Sequence, residues 1–348
     1  MASSSNFGNG AKKSRYLVWK VLFLIFLAVG SVYIIAHNRE MTLHEDSGDI
    51  FGTSYHIKYR SRVSYADSLL AVMKEVDASL SIFNPESTVS LINQNRSRHT
   101  DALFRDVFQL SQRVSDDTGG AFDCTVGPLV NAWGFGFKKG MFPTQQQVDS
   151  LLAYVGFSKV RLEKDGNISK ADSNVVLDFG AVAKGYAVDR VANYLLAHGV
   201  KDYIIEIGGE VVAHGQKGVG EKWTVGIRYP SSNPDDDDIQ GVFKTDNVAL
   251  ATSGNYLNYY EKDGKKYAHT IDPRLGVPVQ HSLLSASVIA PDCATADSYA
   301  TAFMVVGMDE AKKILARHTD ISAFFIYADD KGVVSTWHDS RWPAMSEK

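Results

Sequence analysis

The residues from 177 to 189, LDFGAVAKGYAVD, put a carboxylate (Asp178), a lysine (Lys184) and two glycines around one turn. Val175, Val176 and Leu177 read as a buried strand with Asp178 at its end, where binding residues of α/β units tend to sit. Gly180 permits close approach of a ligand to the backbone, and a helix over 181–197 would offer its first amides and positive dipole end to a phosphate. Two familiar phosphate motifs are excluded. Lys184 precedes Gly185 and Tyr186 follows, which is not the Gly-Lys-Ser/Thr order of a P-loop, and two glycines fall short of the three in a dinucleotide fingerprint. By spacing alone the segment serves equally well as a tight strand-to-helix connection.

Asp297 and Thr301 lie four residues apart in a segment of helical pattern, so their oxygens share one face. Two hard oxygen donors suit magnesium, which keeps several waters and often bridges a carboxylate to substrate phosphates; an ordinary helix acid beside a threonine has the same spacing. His269, in His-Thr-Ile-Asp-Pro, ends an expected strand ahead of Gly276 and Pro278, a place from which a histidine can act as general base or simply brace the turn. Gly119-Gly-Ala-Phe-Asp, Gly127-Pro and Trp133-Gly-Phe-Gly combine turn formers with aromatics, as either a cradle for a flat ring or a structural loop requires.

The elements that must position these groups alternate in period. Residues 51–60 carry the two-residue alternation of a half-buried strand, and helical spacing follows over 64–80, 102–114 and, more briefly, 145–155. Strands are expected near 159–162, 203–207, 223–228, 248–252, 267–271, 284–289 and 323–328, with helices at 295–305 and 309–317. Hairpin-like neighbours in place of regular βαβ units predict an α+β fold with largely antiparallel sheets flanked by helices.

A composition 45% hydrophobic and 22% charged is that of a globular protein, and a net charge of -4 without a long basic run argues against nucleic acid as partner. The acidic run 235–238 reads as a solvated loop. Residues 17–36 are largely apolar and follow Lys12, Lys13 and Arg15. They predict one N-terminal transmembrane helix in the inner membrane, with residues 1–16 as a cytoplasmic tail and the catalytic body, from about residue 50 to 348, outside the cytoplasm. A cleaved signal peptide is the rival reading, since Ala28-Val-Gly offers small residues. The two cysteines, Cys124 and Cys293, are too few for a disulfide framework and are expected as free buried thiols.

The motif order resembles that of the ApbE family of FAD:protein FMN transferases from about residue 50 to the C-terminus. The segments that carry the likeness are Phe51-Gly-Thr-Ser-Tyr, Ser81-Ile-Phe-Asn-Pro, Gly119-Gly-Ala-Phe-Asp, Gly127-Pro-Leu-Val-Asn-Ala-Trp-Gly-Phe-Gly, Asp178-Phe-Gly-Ala-Val-Ala-Lys-Gly, Gly208-Gly, Ala251-Thr-Ser-Gly, His269-Thr-Ile-Asp-Pro and Ala296-Asp-Ser-Tyr-Ala-Thr-Ala. The resemblance implies that Phe51, Phe83, Ala121, Phe122, Asp123, Asp178, Lys184 and Ile271 contact FAD, and that magnesium is held by the carbonyl of Ala181, Asp297, Thr301 and the carbonyl of Ala300. It further implies transfer of FMN to a threonine hydroxyl with release of AMP, His269 taking the proton; that Lys184 steadies the phosphates is inferred from its charge, not from the resemblance. Implied acceptors carry Asp-Gly/Ser-x-Ser/Thr-Gly-Ala-Thr, as in subunits of sodium-translocating quinone reductase and related electron-transport complexes. A magnesium-dependent FAD pyrophosphatase and a flavin-binding protein without turnover remain as alternatives. This chain departs from many relatives in having Phe51 where they have methionine, and an apolar N-terminal run in place of a lipidated cysteine. Residues 246–252 lack three positions of the acceptor motif, so self-modification is not expected.

Overall fold

The computed structural model describes residues 9–37, 41–136, 142–230, 238–255, 259–262, 265–329 and 331–346, with side chains for all but 9–16, 33–37, 259–262 and 265–267. It divides into two compact units, residues 1–43 with 61–64, and residues 44–60 with 65–348. The first contains the helix Asn9–His37.

Among the described residues no helix is long and apolar enough to cross a membrane. The helix Asn9–His37 carries Lys12, Lys13 and Arg15 in its first two turns, and only the run after them is apolar. Lys20, Gly30 and Ser31 interrupt even that stretch. The expected transmembrane helix is therefore corrected, and the single-pass inner-membrane location with an extracytoplasmic body, which rested on it, is corrected with it. Residues 1–8 of the expected tail lie outside the described residues.

The second unit is built on an eight-stranded sheet whose spatial order follows the chain: β1 (Thr42–Ile50), β2 (Thr53–Ser61), β3 (Tyr203–Ile207), β4 (Glu210–His214), β5 (Asn247–Gly254), β6 (Leu283–Ile289), β7 (Ser322–Ala328) and β8 (Val334–His338). Pairings from β2 to β8 are antiparallel, in agreement with the α+β expectation. Alternation assigns the faces. In β5, Val248 and Leu250 join a cluster with Trp223, Val225 and Ile227 of the three-stranded sheet, while Ala249 and Ala251 face the main core.

On that main face pack α1 (Ala66–Leu80), α2 (Ala102–Asp117), α3 (Ala183–Ala197) and α4 (Cys293–Val306), followed in the chain by α5 (Met308–Leu315). Ala249, Ala251, Ala286 and Ala323 leave room against the sheet for α4, itself rich in alanine and buried around most of its circumference, as a helix apolar on all sides must be. The Asp292 side chain caps its first turn through Thr295 N at 2.7 Å.

The stretch expected as a strand before Asp178 joins no sheet. Its backbone is satisfied by a side chain instead: Asn93 Oδ1 accepts from Leu177 N and Asn93 Nδ2 donates to Leu177 O, both at 2.8 Å. An Asn amide thus does the work of a neighbouring strand. The expected strand 267–271 is also broken, into Lys265–Ala268 and Ile271–Asp272, with His269 and Thr270 between.

Candidate active site

Helix α3 begins at Ala183, two residues later than expected, and its first turn meets α4 at close range. Gly185 makes this approach feasible, because a Cβ there would stand 2.7 Å from the Cys293 carbonyl carbon and 2.9 Å from Ala294 Cα. Gly185 N donates to Asp297 Oδ2 at 3.1 Å. One turn further, the Asp189 carboxylate accepts from Cys293 N at 2.9 Å and Ala294 N at 2.8 Å, tying α3 to the start of α4. Burial pushes the Asp189 carboxyl up to about 7. The expected anion at the start of α3 is thus internal, the carboxylate of Asp297.

Asp297 is 2% exposed. Beside it the Lys184 ammonium lies 2.9 Å from Glu210 Oε1 and 3.8 Å from Asp297 Oδ2. Burial works against that ammonium, but the Asp297 and Glu210 carboxylates outweigh it and raise its pKa, so Lys184 is a fixed cation. Burial raises the Glu210 carboxyl. Sequence reasoning passed over Glu210; the available signal was a lone acid at the start of an apolar strand directly after Gly208-Gly209.

Thr301 Oγ1 lies 3.1 Å from Ser253 Oγ at the end of β5, bringing the Ala251-Thr-Ser-Gly segment to α4. Next along the chain Asn255 Oδ1 accepts from Thr270 Oγ1 at 2.6 Å, which tethers the His269 segment to the same strand end. The His269 ring stands edge-on to Phe135, with centroids 6.3 Å apart. Ile271 is buried with Leu129, Trp133 and Val148, and Trp133 Nε1 donates to Gly276 O at 2.8 Å. Of the glycine- and aromatic-rich segment, then, Trp133 is core and Phe135 reaches the histidine.

Asp178 N donates to Cys124 O at 2.7 Å, so the segment Ala121, Phe122 and Asp123 leads into a contact with the turn of Asp178. The Asp178 carboxylate accepts from Gly180 N at 2.8 Å, and burial raises its pKa. Ala121 and the Phe122 ring are core, which leaves only their backbone to meet a ligand. Asp123 accepts from Thr125 N, Thr125 Oγ1 and Phe157 N at 2.8, 2.6 and 3.0 Å, the pattern of a residue that shapes a turn. A cleft of about 490 Å³ opens beside it, bordered by Gly119, Gly120, Gly156, Phe157 and Arg274. Phe83 is the opposite case, a ring 74% exposed. Phe51 occupies the tip of the β1–β2 hairpin at φ 55°, half-buried against the core. Cys124 and Cys293 are free and buried, as expected.

The expected ligands on α4 are oxygens, the buried Asp297 carboxylate, the Thr301 hydroxyl one turn on and the Ala300 carbonyl between them, and Ala181 lies in the turn before α3. This fits a hard divalent cation that retains water. Among the described residues no group of three or more His, Cys, Asp and Glu side chains can hold a metal, which excludes an all-side-chain cage there.

Known proteins bear out the family expectation. A sequence profile of the ApbE family matches residues 51–325. The chain is 34% identical to the FAD:protein FMN transferase of Haemophilus influenzae across 91% of this chain and 95% of that one. Among solved structures it is similar to the flavin transferase ApbE from Vibrio cholerae, with a TM-score of 0.76 and 30% identity over 86% of this chain and 98% of that chain. It is equally similar to the apo form of the flavinyl transferase ApbE from Pseudomonas stutzeri, with a TM-score of 0.77 and 30% identity over 86% and 96%. With the profile spanning most of its length and a relative at this identity, the chain belongs to the ApbE family, whose relatives named here are flavin transferases.

Proposed function

We propose that this protein is an FAD:protein FMN transferase that cleaves the FAD pyrophosphate with magnesium, passes FMN to a threonine hydroxyl of an acceptor protein and releases AMP. The observation that carries the reading is the placement of Asp297, a buried carboxylate on α4, beside but not against the Lys184 ammonium on α3, 3.8 Å away. A fixed cation beside a carboxylate able to take a second one is what a pyrophosphate and its leaving group require.

Asp297, Thr301 and the carbonyls of Ala181 and Ala300 would hold magnesium, which when bound neutralises charge developing on the phosphate oxygens. Lys184 contributes a second, permanent positive charge at Nζ. His269, on the segment tethered to the end of β5, receives the acceptor hydroxyl proton at a ring nitrogen. Phe83 offers an exposed ring face to FAD, and Phe51 a half-buried one at a hairpin tip. Ala121, Phe122 and Asp123 contribute backbone, with Asp178 and Ile271 alongside.

The test incubates the full chain with FAD, magnesium and an acceptor bearing Asp-Gly/Ser-x-Ser/Thr-Gly-Ala-Thr. A fluorescent flavin band that survives denaturing electrophoresis, with AMP released in proportion, is expected. AMP without the band would replace transfer by hydrolysis, and intact FAD would end both readings.

A further inference from the structure

The Lys184 ammonium faces two carboxylates and can pair closely with only one. It sits on Glu210, at 2.9 Å, and stands off Asp297, at 3.8 Å. Glu210 is 2% exposed, and among the described residues its second oxygen, Oε2, has no hydrogen-bond partner. Among the described residues its side-chain partner is Lys184. A carboxylate buried for so few contacts is a poor stabilising device, since desolvation offsets most of what a single ion pair returns.

The local backbone is shaped around this pair. Gly208 and Gly209 make the turn between β3 and β4 with φ 63° and 102°, conformations that suit glycine, and Glu210 follows at once. A Cβ at Gly208 would stand 2.7 Å from Thr53 Cγ2 and 3.4 Å from Lys184 Cδ, so the lysine stem passes directly over the bare turn to reach Glu210.

We propose that Glu210 is a positioning residue that holds the Lys184 ammonium away from Asp297 and so keeps the Asp297 carboxylate open to a divalent cation. Without Glu210 the nearest carboxylate to Lys184 is Asp297, and closing the gap from 3.8 Å to a direct ion pair takes less than about 1 Å of a flexible stem. The lysine would then compete with the metal for the same oxygen. This inference rests on the assignment of Asp297 to the cation under the proposed function.

The experiment titrates the full chain with Mn2+, without FAD, and reads free Mn2+ by electron paramagnetic resonance; a thermal melt accompanies each variant. The wild type should bind, and Asp297→Asn should not. Glu210→Gln should weaken binding about tenfold, the effect of one added charge-assisted contact at Asp297. Glu210→Gln combined with Lys184→Met, which removes the competitor and buries no lone charge, should recover wild-type affinity to within about threefold. Lys184→Met alone should bind at least as tightly as wild type, which keeps the test decisive if Glu210→Gln fails to fold. Wild-type affinity in Glu210→Gln overturns the inference, as does a double variant as weak as the single one, which would make Glu210 a ligand. If Asp297→Asn binds like wild type, the metal assignment itself fails and takes the inference with it.

Discussion

Substituting Gly185 with alanine tests whether the contact between α3 and α4 sets the geometry of the site. The added methyl would meet the Cys293 carbonyl carbon at 2.7 Å and Ala294 Cα at 2.9 Å. Carbon atoms prefer about 3.5 to 4.0 Å, and these neighbours are backbone, so the helices must part by about 1 Å. Overpacking of this kind costs about 1–3 kcal/mol, and rigid neighbours put it near the upper figure. Alanine's helix preference over glycine returns about 1 kcal/mol, leaving a net loss of about 2 kcal/mol, or roughly 3 °C in a melt for a chain of this length. The functional loss should be larger. Asp297 is held to α3 by Gly185 N at 3.1 Å and faces Lys184 across the same gap, so a shift of about 1 Å should lower flavin transfer by roughly 100-fold. The assay pairs a thermal melt with single-turnover transfer from FAD. Gly226→Ala serves as the control, because a Cβ there would meet only side-chain carbons at 3.4 Å or beyond. A Gly185→Ala protein with wild-type melting and wild-type transfer would refute the reasoning, since the helices would then have yielded without moving the site.

Phe51→Asn should stabilise the fold by about 0.5–1 kcal/mol while weakening FAD binding, because Phe51 at φ 55° and Gly52 at φ 74° form a turn that favours Asn-Gly, and the ring is retained there against its backbone preference; a melt and a flavin fluorescence titration check the two halves. Asn93→Ala should cost about 3 kcal/mol in denaturant unfolding, since it strips both the donor and the acceptor from the buried Leu177 backbone. Burial opposes ionisation of Asp117, yet hydrogen bonds from His318, Tyr299 and Arg317 outweigh it and hold its carboxyl below the ordinary range. A carboxyl depressed by folding contributes stability above its unfolded pKa of about 3.9 and loses it as pH falls through the folded value. Asp117→Asn should therefore melt lower than wild type at pH 7, by about 1–2 kcal/mol, with the gap closing below about pH 4.

What the sequence made legible was the part of the site governed by local pattern. Helical spacing put Asp297 and Thr301 on one face of what became α4, and the turn at Gly180 marked the approach to a helix. Alternation found β3 and most of β5 and β6. Misreadings arose where a local pattern had two physical solutions. An apolar run such as Val175, Val176 and Leu177 needs partners for its backbone, and nothing in its own residues tells a neighbouring strand from the amide of Asn93, 84 positions away. Phe122 and Phe83 look alike as aromatic ligand contacts, yet one ring is core and the other is 74% exposed. The apolar run near the N-terminus matched a bilayer in composition, and among the described residues no helix meets the requirement of length and apolarity together.

Glu210 was illegible for a stronger reason, because its meaning depends on a relation and not on a pattern. Lys184 and Asp297 were each chosen as a charged residue in a suggestive motif, and opposite charges in one site invite the conclusion that they pair. The structure instead gives Lys184 its closest partner on strand β4, 26 positions along the chain, and sets it back from Asp297 by nearly 1 Å more. Two cationic functions are thereby kept apart: the lysine is a fixed charge paired with its own carboxylate, and Asp297 retains an oxygen that, among the described residues, one backbone amide claims closely. A site meant to take up a metal cannot let its own cation fill the metal's place, so the third charge is a consequence of having the first two.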